Sequence, residues 1–284
     1  MPEVLAKVSA SPSQLHQGGT AKLGFRRSPD GVTYICTQEV AYPFHITRPF
    51  YLEGDPKGMS TLYIQSVSGG LFDNDVVTLS LNGEAQSLVN VTTQASTIVH
   101  ETKTGPALQQ VLINAGNNAF LEYLPDPMVL FPGARLHSKT RVTCDPCSSV
   151  MLCDGYFSHD PRSVGAVFEQ LVSELRIETP QGRLRCLDRF DIGGEQLSYD
   201  NHYRAHGSFF CIDNSLDEST REKIDQSLSS IAGIYAGSSM LPDTAGIWGR
   251  VLAPDSQRLR DAIIAVWKTW RQIKTGLTPH LRKK

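Results

Sequence analysis

The sequence lacks a long apolar run, an excess of either charge and every common nucleotide or hydrolase signature, and each absence removes a class of function. No segment approaches the roughly 18 apolar residues of a membrane span. The opening MPEVLAKVSASPSQ has neither a cationic start nor an apolar stretch, so the expectation is a soluble, cytoplasmic protein. Lysine and arginine number 27 against 29 acidic residues, a formal charge of -2. That balance removes the broad basic field a nucleic-acid or anionic-membrane binder carries, and the one basic cluster, LRKK at the end, reads as a short solvated tail. No G-x-x-x-x-G-K-[ST], no G-x-G-x-x-G after a strand, no H-E-x-x-H and no G-x-S-x-G is present, which leaves nucleotide hydrolysis and the usual hydrolase sites unsupported. Nothing repeats at a fixed period, so a solenoid with a readable repeat is not expected.

What is present is a two-residue rhythm from about residue 20 to residue 212. In DVVTLSLNG, Val77, Leu79 and Leu81 fall on one face and Thr78 and Ser80 on the other, and Asn82-Gly83 reads as a hairpin turn. TLYIQSV, LQQVLI, AFLEYL, SKTRVTC and GRLRCLDRF repeat the pattern, separated by turn chemistry at Pro29-Asp30-Gly31, Gly116-Asn117 and Gln181-Gly182. The expected fold is mainly β, a large body of stacked antiparallel sheets, sandwich-like, carrying two C-terminal α-helices. It is read as a single domain over 1–284, with the β body at about 1–212, a helix, strand and helix at about 213–276 and the basic tail at 277–284.

Past Cys211 the period becomes helical. Ser215 and Glu218 suggest a capping box opening a helix from about Leu216 to Tyr235, with Gly237 just past its end. From Asp255 to Lys274, the residues Leu259, Ile263, Ile264, Val266, Trp267, Trp270 and Ile273 form a broad apolar stripe that stops at Gly276. GIWGRVLA between them reads as a strand.

Polar clusters offer several chemistries, each with a plainer structural reading. Cys144-Asp-Pro-Cys147, with Cys153, His137 and His159 nearby, lacks the second cysteine pair of a structural zinc site, and buried reduced thiols account for it. Asp73-Asn-Asp75 begins like a calcium loop, but Val77 and Thr78 stand where a ligand and a glycine are required. The pair is then either an acidic turn or two carboxylates held at the mouth or wall of a cavity. Thr92, Thr93, Gln94, Ser96 and Thr97 suit a water-filled interior or an exposed sheet face.

The stretch LEYLPDPMVLFPGAR, Leu121 to Arg135, sets Asp126 between two prolines in apolar surroundings. Proline has no N–H for a ladder, so this is a kinked extended segment rather than an ordinary central strand. Together with RPFYLE (48–53), SGGLFDND (68–75), TTQAST (92–97) and VWKTWRQIKTG (266–276), it resembles the urease accessory protein family UreD, called UreH in some bacteria, from about residue 40 onward. The resemblance implies a mainly β protein that is not an enzyme. It would act as a chaperone in nickel insertion, binding apo-urease and, through a UreF-type partner, a UreG-type GTPase that carries the metal. It also implies an internal water-filled tunnel with no stably bound cofactor and only transient Ni2+.

A conduit that must release Ni2+ should offer sparse carboxylates, waters and carbonyls rather than a closed thiolate cage. On that reading Asp75 and Asp126, with Glu122 and Asp73, are the acids of the nickel path. Against the family pattern, only Asp75 matches residue by residue in its turn, and Ile98 and His100 replace a lysine and a tyrosine. SHDPRSVGAVFEQ (158–170) puts Asp160 where an arginine belongs. Two other classes stand beside this one. A cupin-like β-sandwich metalloenzyme would use His137, His159, His202 and His206, but the sequence lacks the clustered H-x-H such a site needs. A glycan-binding module has only Tyr199 and Tyr203 in its favour.

Overall fold

The computed structural model describes residues 18–197 and 202–280. Two sheets face each other, and a pair of helices covers the second. The first, sheet A, contains β1 (Gly19–Arg27), β2 (Thr33–Val40), β5 (Val76–Gly83), β8 (Ala107–Ala115), β11 (Arg135–Cys144), β13 (Gln170–Glu178) and β14 (Leu184–Ile192), in the order β14-β13-β11-β8-β5-β1-β2. Sheet B contains β3 (Phe44–Ile46), β4 (Ser60–Ser66), β6 (Leu88–Thr93), β9 (Phe120–Leu124), β12 (Ser149–Ser158), β15 (Ala205–Ile212), β16 (Tyr235–Met240) and β17 (Gly246–Ala253). Its order is β16-β17-β15-β12-β9-β6-β4-β3, with β7 (Ile98–Val99) and β10 (Met128–Leu130) attached beside β12.

The antiparallel stack expected from the sequence is corrected here. The central strands β1, β5, β8, β11 and β13 of sheet A run parallel, as do β4, β6, β9 and β12 of sheet B. Parallel neighbours need a crossover, and each crossover here passes through the opposite sheet, so the chain winds as a coil. A two-residue alternation marks a strand and its faces but carries no information about the direction of its neighbour. The coil leaves no fixed repeat in the sequence because its turns differ in length: Val76 stands beside Leu108, Leu108 beside His137 and His137 beside Val172, steps of 32, 29 and 35 residues. The same winding removes the hairpin expected at Asn82-Gly83. Those residues finish β5, and the chain turns the corner at Glu84–Ser87, with Gln86 at φ 62, into the other sheet.

Three apolar clusters fill the layers. Phe25, Leu81, Val91, Leu121, Val142, Leu152 and Phe210 belong to the core between the sheets, and Leu71, Leu130, Leu136, Phe168 and Leu171 to a second cluster that shares it. On the other side of sheet B, Met151, Phe209, Cys211 and Val251 pack against Ile224 and Leu228 of α2 (Glu218–Ser229) and Leu259, Val266 and Trp270 of α3 (Ser256–Thr275). The middle strands of sheet B are therefore buried on both faces, which is why four of the five residues of β9 are buried in succession.

The helix–strand–helix expected near the C-terminus is present, but its strand is β17 of sheet B. The second helix ends at Gly276, in the left-handed conformation, as expected. The first is shorter than the sequence suggests. Asp217, rather than Ser215, accepts the Thr220 N–H as its cap, and Gly237 lies inside β16. Asp255 caps α3 by accepting the Arg258 N–H at 2.8 Å. Asp255→Ala is expected to cost about 1 kcal/mol in urea denaturation.

The segment Leu121–Arg135 is now explained by its place in the coil. β9 and β10 both lie along β12, paired at Ser149–Leu152 and at Tyr156–Ser158, and Pro125-Asp126-Pro127 interrupts what is otherwise one long strand position. The interruption frees Asp126 from the ladder, and its N–H donates to Thr93 Oγ1 at 2.8 Å.

Candidate functional site

The four acids singled out in the sequence fall into two groups. Asp73 Oδ1 accepts the backbone N–H groups of Lys103 and Thr104 at 2.6 and 3.0 Å, tying two loops together. Asp75 is buried at the start of β5, and its Oδ2 accepts the Phe72 N–H at 2.8 Å. Glu122 and Asp126 lie on the opposite side of sheet B, beneath α3. Glu122 is inaccessible to solvent and accepts from Trp267 Nε1 at 2.9 Å and Arg271 Nε at 2.7 Å. Burial pushes its carboxyl up from the ordinary value, and the Arg271 guanidinium opposes that rise. Asp126 accepts from Arg260 Nη2 at 2.7 Å and lines a cleft of about 420 Å3 together with Asp55, Asn90, Thr92, Asp261 and Trp267.

Between the sheets lies a polar seam that the sequence reading missed. The alternation that turns Val150 and Leu152 inward also turns Asp154 and Tyr156 inward. The Ser208 N–H donates to Asp154 at 2.8 Å, and the Tyr156 hydroxyl donates to Ser173 Oγ on the facing sheet at 3.4 Å. At the edge, Arg250 of β17 crosses to Asp188 of β14, with its guanidinium 5.1 Å from the centre of the Phe190 ring and 5.6 Å from that of Trp248. Arg250 Nη1 is 3.3 Å from His206 Nε2. A guanidinium only donates, so His206 accepts at Nε2 and carries its proton at Nδ1. At the other end a cavity of about 60 Å3 is lined by Thr93, Thr97, Gln109, Tyr123 and Met128, among others.

The electrostatics follow from burial. Burial pushes Asp154 up to about 6, with the nearby Asp188 adding to the shift and Ser208 and Arg250 opposing it. His206 is pushed down to about 4, first by burial and then by Arg250. Gln109 Oε1 and His206 Nδ1 are buried without a protein partner. Such atoms are costly unless water reaches them, and the cavity beside Gln109 exceeds the roughly 10–15 Å3 one water requires. The seam therefore presents hydroxyls, an amide and one carboxyl that is still mostly ionised at neutral pH but takes up a proton near pH 6. These are oxygen groups that attract a dication without enclosing it. Among the described residues, no three His, Cys, Asp or Glu side chains are grouped closely enough to hold a metal ion.

Two signals for this site were legible. Asp154 is a lone acid within the apolar run VMLCDGYF, and Arg271 interrupts the apolar stripe of the last helix. The histidines and cysteines fall elsewhere. His137 sits partly buried on β11, His159 stacks on Phe157 with ring centres 5.7 Å apart, and His202 is exposed and only His206 faces the seam. The thiol of Cys144 is buried, and that of Cys147 is exposed. Tyr203 is partly buried, and Tyr199 lies outside the described residues. In the segment at 158–170, Asp160 accepts the N–H groups of Arg162, Val164 and Ala166 and so shapes its own loop.

The likeness to known proteins runs along nearly the whole chain. Residues 17–284 match the family described as UreD urease accessory protein. The chain is 35% identical over 285 residues to urease accessory protein UreD 1 of Pseudomonas syringae pv. syringae (strain B728a), covering 98% of this chain and 99% of that one. It is 34% identical to urease accessory protein UreD 1 of Methylorubrum populi (strain ATCC BAA-705 / NCIMB 13946 / BJ001), covering 100% and 98%. Against urease accessory protein UreD 3 of Bradyrhizobium sp. (strain ORS 278), it is 34% identical with 89% and 91% covered.

Proposed function

The chain belongs to the UreD urease accessory protein family, and from that premise we propose that it serves urease maturation in the cytoplasm as a scaffold and conduit for Ni2+ rather than as an enzyme. It holds apo-urease on one side and a UreF-type partner, with its UreG-type GTPase, on another. The ion passes through without a resident cofactor. No helix among the described residues is long and apolar enough to cross a membrane, in keeping with a role that needs none.

The observation that carries the conduit reading is the seam: an unbroken apolar core would be the cheaper way to join two sheets, yet Gln109, Tyr156, Asp154 and His206 cross it. Ni2+ held by one carboxylate and several hydroxyls and waters enters and leaves, whereas a thiolate cage would retain it. Asp154 is the acid at the middle of the path. Asp75 and Asp126 are its outlying acids, Asp126 in the cleft beneath α3 that Asp154 also lines, and Asp73 and Glu122 support them by holding loop and helix in place. The cupin-like alternative finds no support in histidines spread over four separate settings.

The test is co-expression with the cognate UreF-type protein, pull-down, and urease activation in the reconstituted set. Asp154→Asn, and alanine at Asp75 or Asp126, are expected to co-purify with the partner as the parent does while lowering nickel-dependent urease activation. Loss of the complex with both proteins folded overturns the scaffold reading. Full activation by the Asp154 variant overturns the route.

A further inference from the structure

Sheet B extends one strand further than sheet A on the side of β14. Arg250 of β17 reaches Asp188 of β14, and Phe190 of β14 packs edge-on against His206 with ring centres 4.8 Å apart. The last strand of sheet A thus lies opposite β17, while the last strand of sheet B, β16, projects beyond it by about one strand spacing, ~4.8 Å. The burial of β16 records this overhang. Ala236 and Met240 pack in the core beneath α2, whereas Tyr235, Gly237 and Ser239 on the opposite face are exposed, Tyr235 to 70%.

The bare face forms a groove of about 480 Å3 lined by Tyr235, Gly237, Ser239, Trp248, Arg250 and Leu252. Its floor is open, because a Cβ on Gly237 would meet no atom within 4 Å. Its wall is the outer edge of β14, which has no strand partner among the described residues; the turn at Asp243 meets only its start, through Arg183 and Arg185, and on the face turned from sheet B Leu187 is exposed to 49%. Natural sheets seldom leave such an edge without covering or blunting it.

We propose that this groove receives one extended segment of a partner protein, which adds to β14 as a further strand of sheet A and lays alternate side chains on Tyr235, Trp248 and Leu252. The overhang selects that occupant. A helix, about 10 Å across with its side chains, is too wide for a single strand's space. A second copy joining β14 to β14 would drive two projecting β16 strands into the same volume. Charge defines the segment further. Arg183 is paired with Asp243 and Arg250 with Asp188, whereas Arg189, exposed on β14 and opposite Glu174 of β13, lies within ion-pair distance of no acid among the described residues. The segment therefore alternates apolar residues with at least one acid, and its main chain supplies most of the recognition.

The experiment is selection from a displayed library of random nonapeptides on the intact chain, followed by hydrogen exchange with the strongest binder. The expected binders alternate apolar residues, carry an acid, and slow exchange across 184–192. A central proline in the peptide should abolish that protection. Gly237→Val fills the floor at a strand position where valine is favoured, so the variant should keep its melting temperature and bind about tenfold more weakly or worse. No enrichment, protection elsewhere, or equal binding by the valine variant overturns the proposal. So does protection of β14 that appears without peptide as chain concentration rises, since that assigns the groove to a second copy. None of these readouts depends on nickel or urease, so their failure leaves the conduit reading standing.

Discussion

Arg271→Ala is expected to destabilise the protein by about 3–5 kcal/mol, the usual cost of removing one partner from a buried ion pair. Arg271 is inaccessible to solvent on the face of α3 that meets sheet B. Its Nη1 lies 2.6 Å from Asp55, its Nε 2.7 Å from Glu122, and its Nη2 bonds the second Glu122 oxygen. The guanidinium also lies 5.2 Å from the centre of the Trp267 ring. Alanine leaves two carboxylates facing each other without a cation. Burial already raises the affinity of Glu122 for a proton, so in the variant it takes one up, and the loss should shrink as pH falls. Glu122→Gln should cost less, because Arg271 keeps Asp55. Since whole domains are stable by only about 5–15 kcal/mol, the change should be plain in urea denaturation. A loss under about 1 kcal/mol would mean that water reaches the triad.

The second large effect is a pair of opposed pH dependences in the seam. His206 is pushed down to about 4 from 6.5, so between those values the unfolded chain binds the extra proton. Its contribution is present above about pH 6.5 and is lost as pH falls towards 4. Asp154 is pushed up to about 6 from 3.8, so there the folded chain binds the extra proton, and its contribution fades as pH rises from 3.8 to 6. Each shift amounts to roughly 3 kcal/mol, and in the parent protein the two largely cancel. Asp154→Asn removes one limb. That variant should lose about 3 kcal/mol relative to the parent between pH 6.5 and 4, while His206→Gln should change in the opposite sense. Parallel stability curves for all three proteins would show that neither group is dry.

Strand positions and faces were legible wherever burial was one-sided. Val77, Leu79 and Leu81 are buried as their alternation requires, and the stripe from Leu259 to Trp270 became a helix with the stop expected at Gly276. Elements compressed between two layers were harder to read. β9 is legible as a strand but not as one covered on both faces, and Glu122 inside it resembles a path acid until Arg271, 149 positions away, is brought beside it. Asp126 was noticed because its prolines are local, but its partner Arg260, 134 positions on, was not.

Composition, turn residues and hydrophobic period thus settled that the chain is mainly β with a helical end, because these are properties of neighbours along the backbone. Strand direction, the coil, the overhang of β16 and the meeting of Asp154 with Arg250 and His206 were decided in the folded molecule. They depend on which distant strands become adjacent, and loop closure between them is governed by the packing of whole layers rather than by any short run of residues.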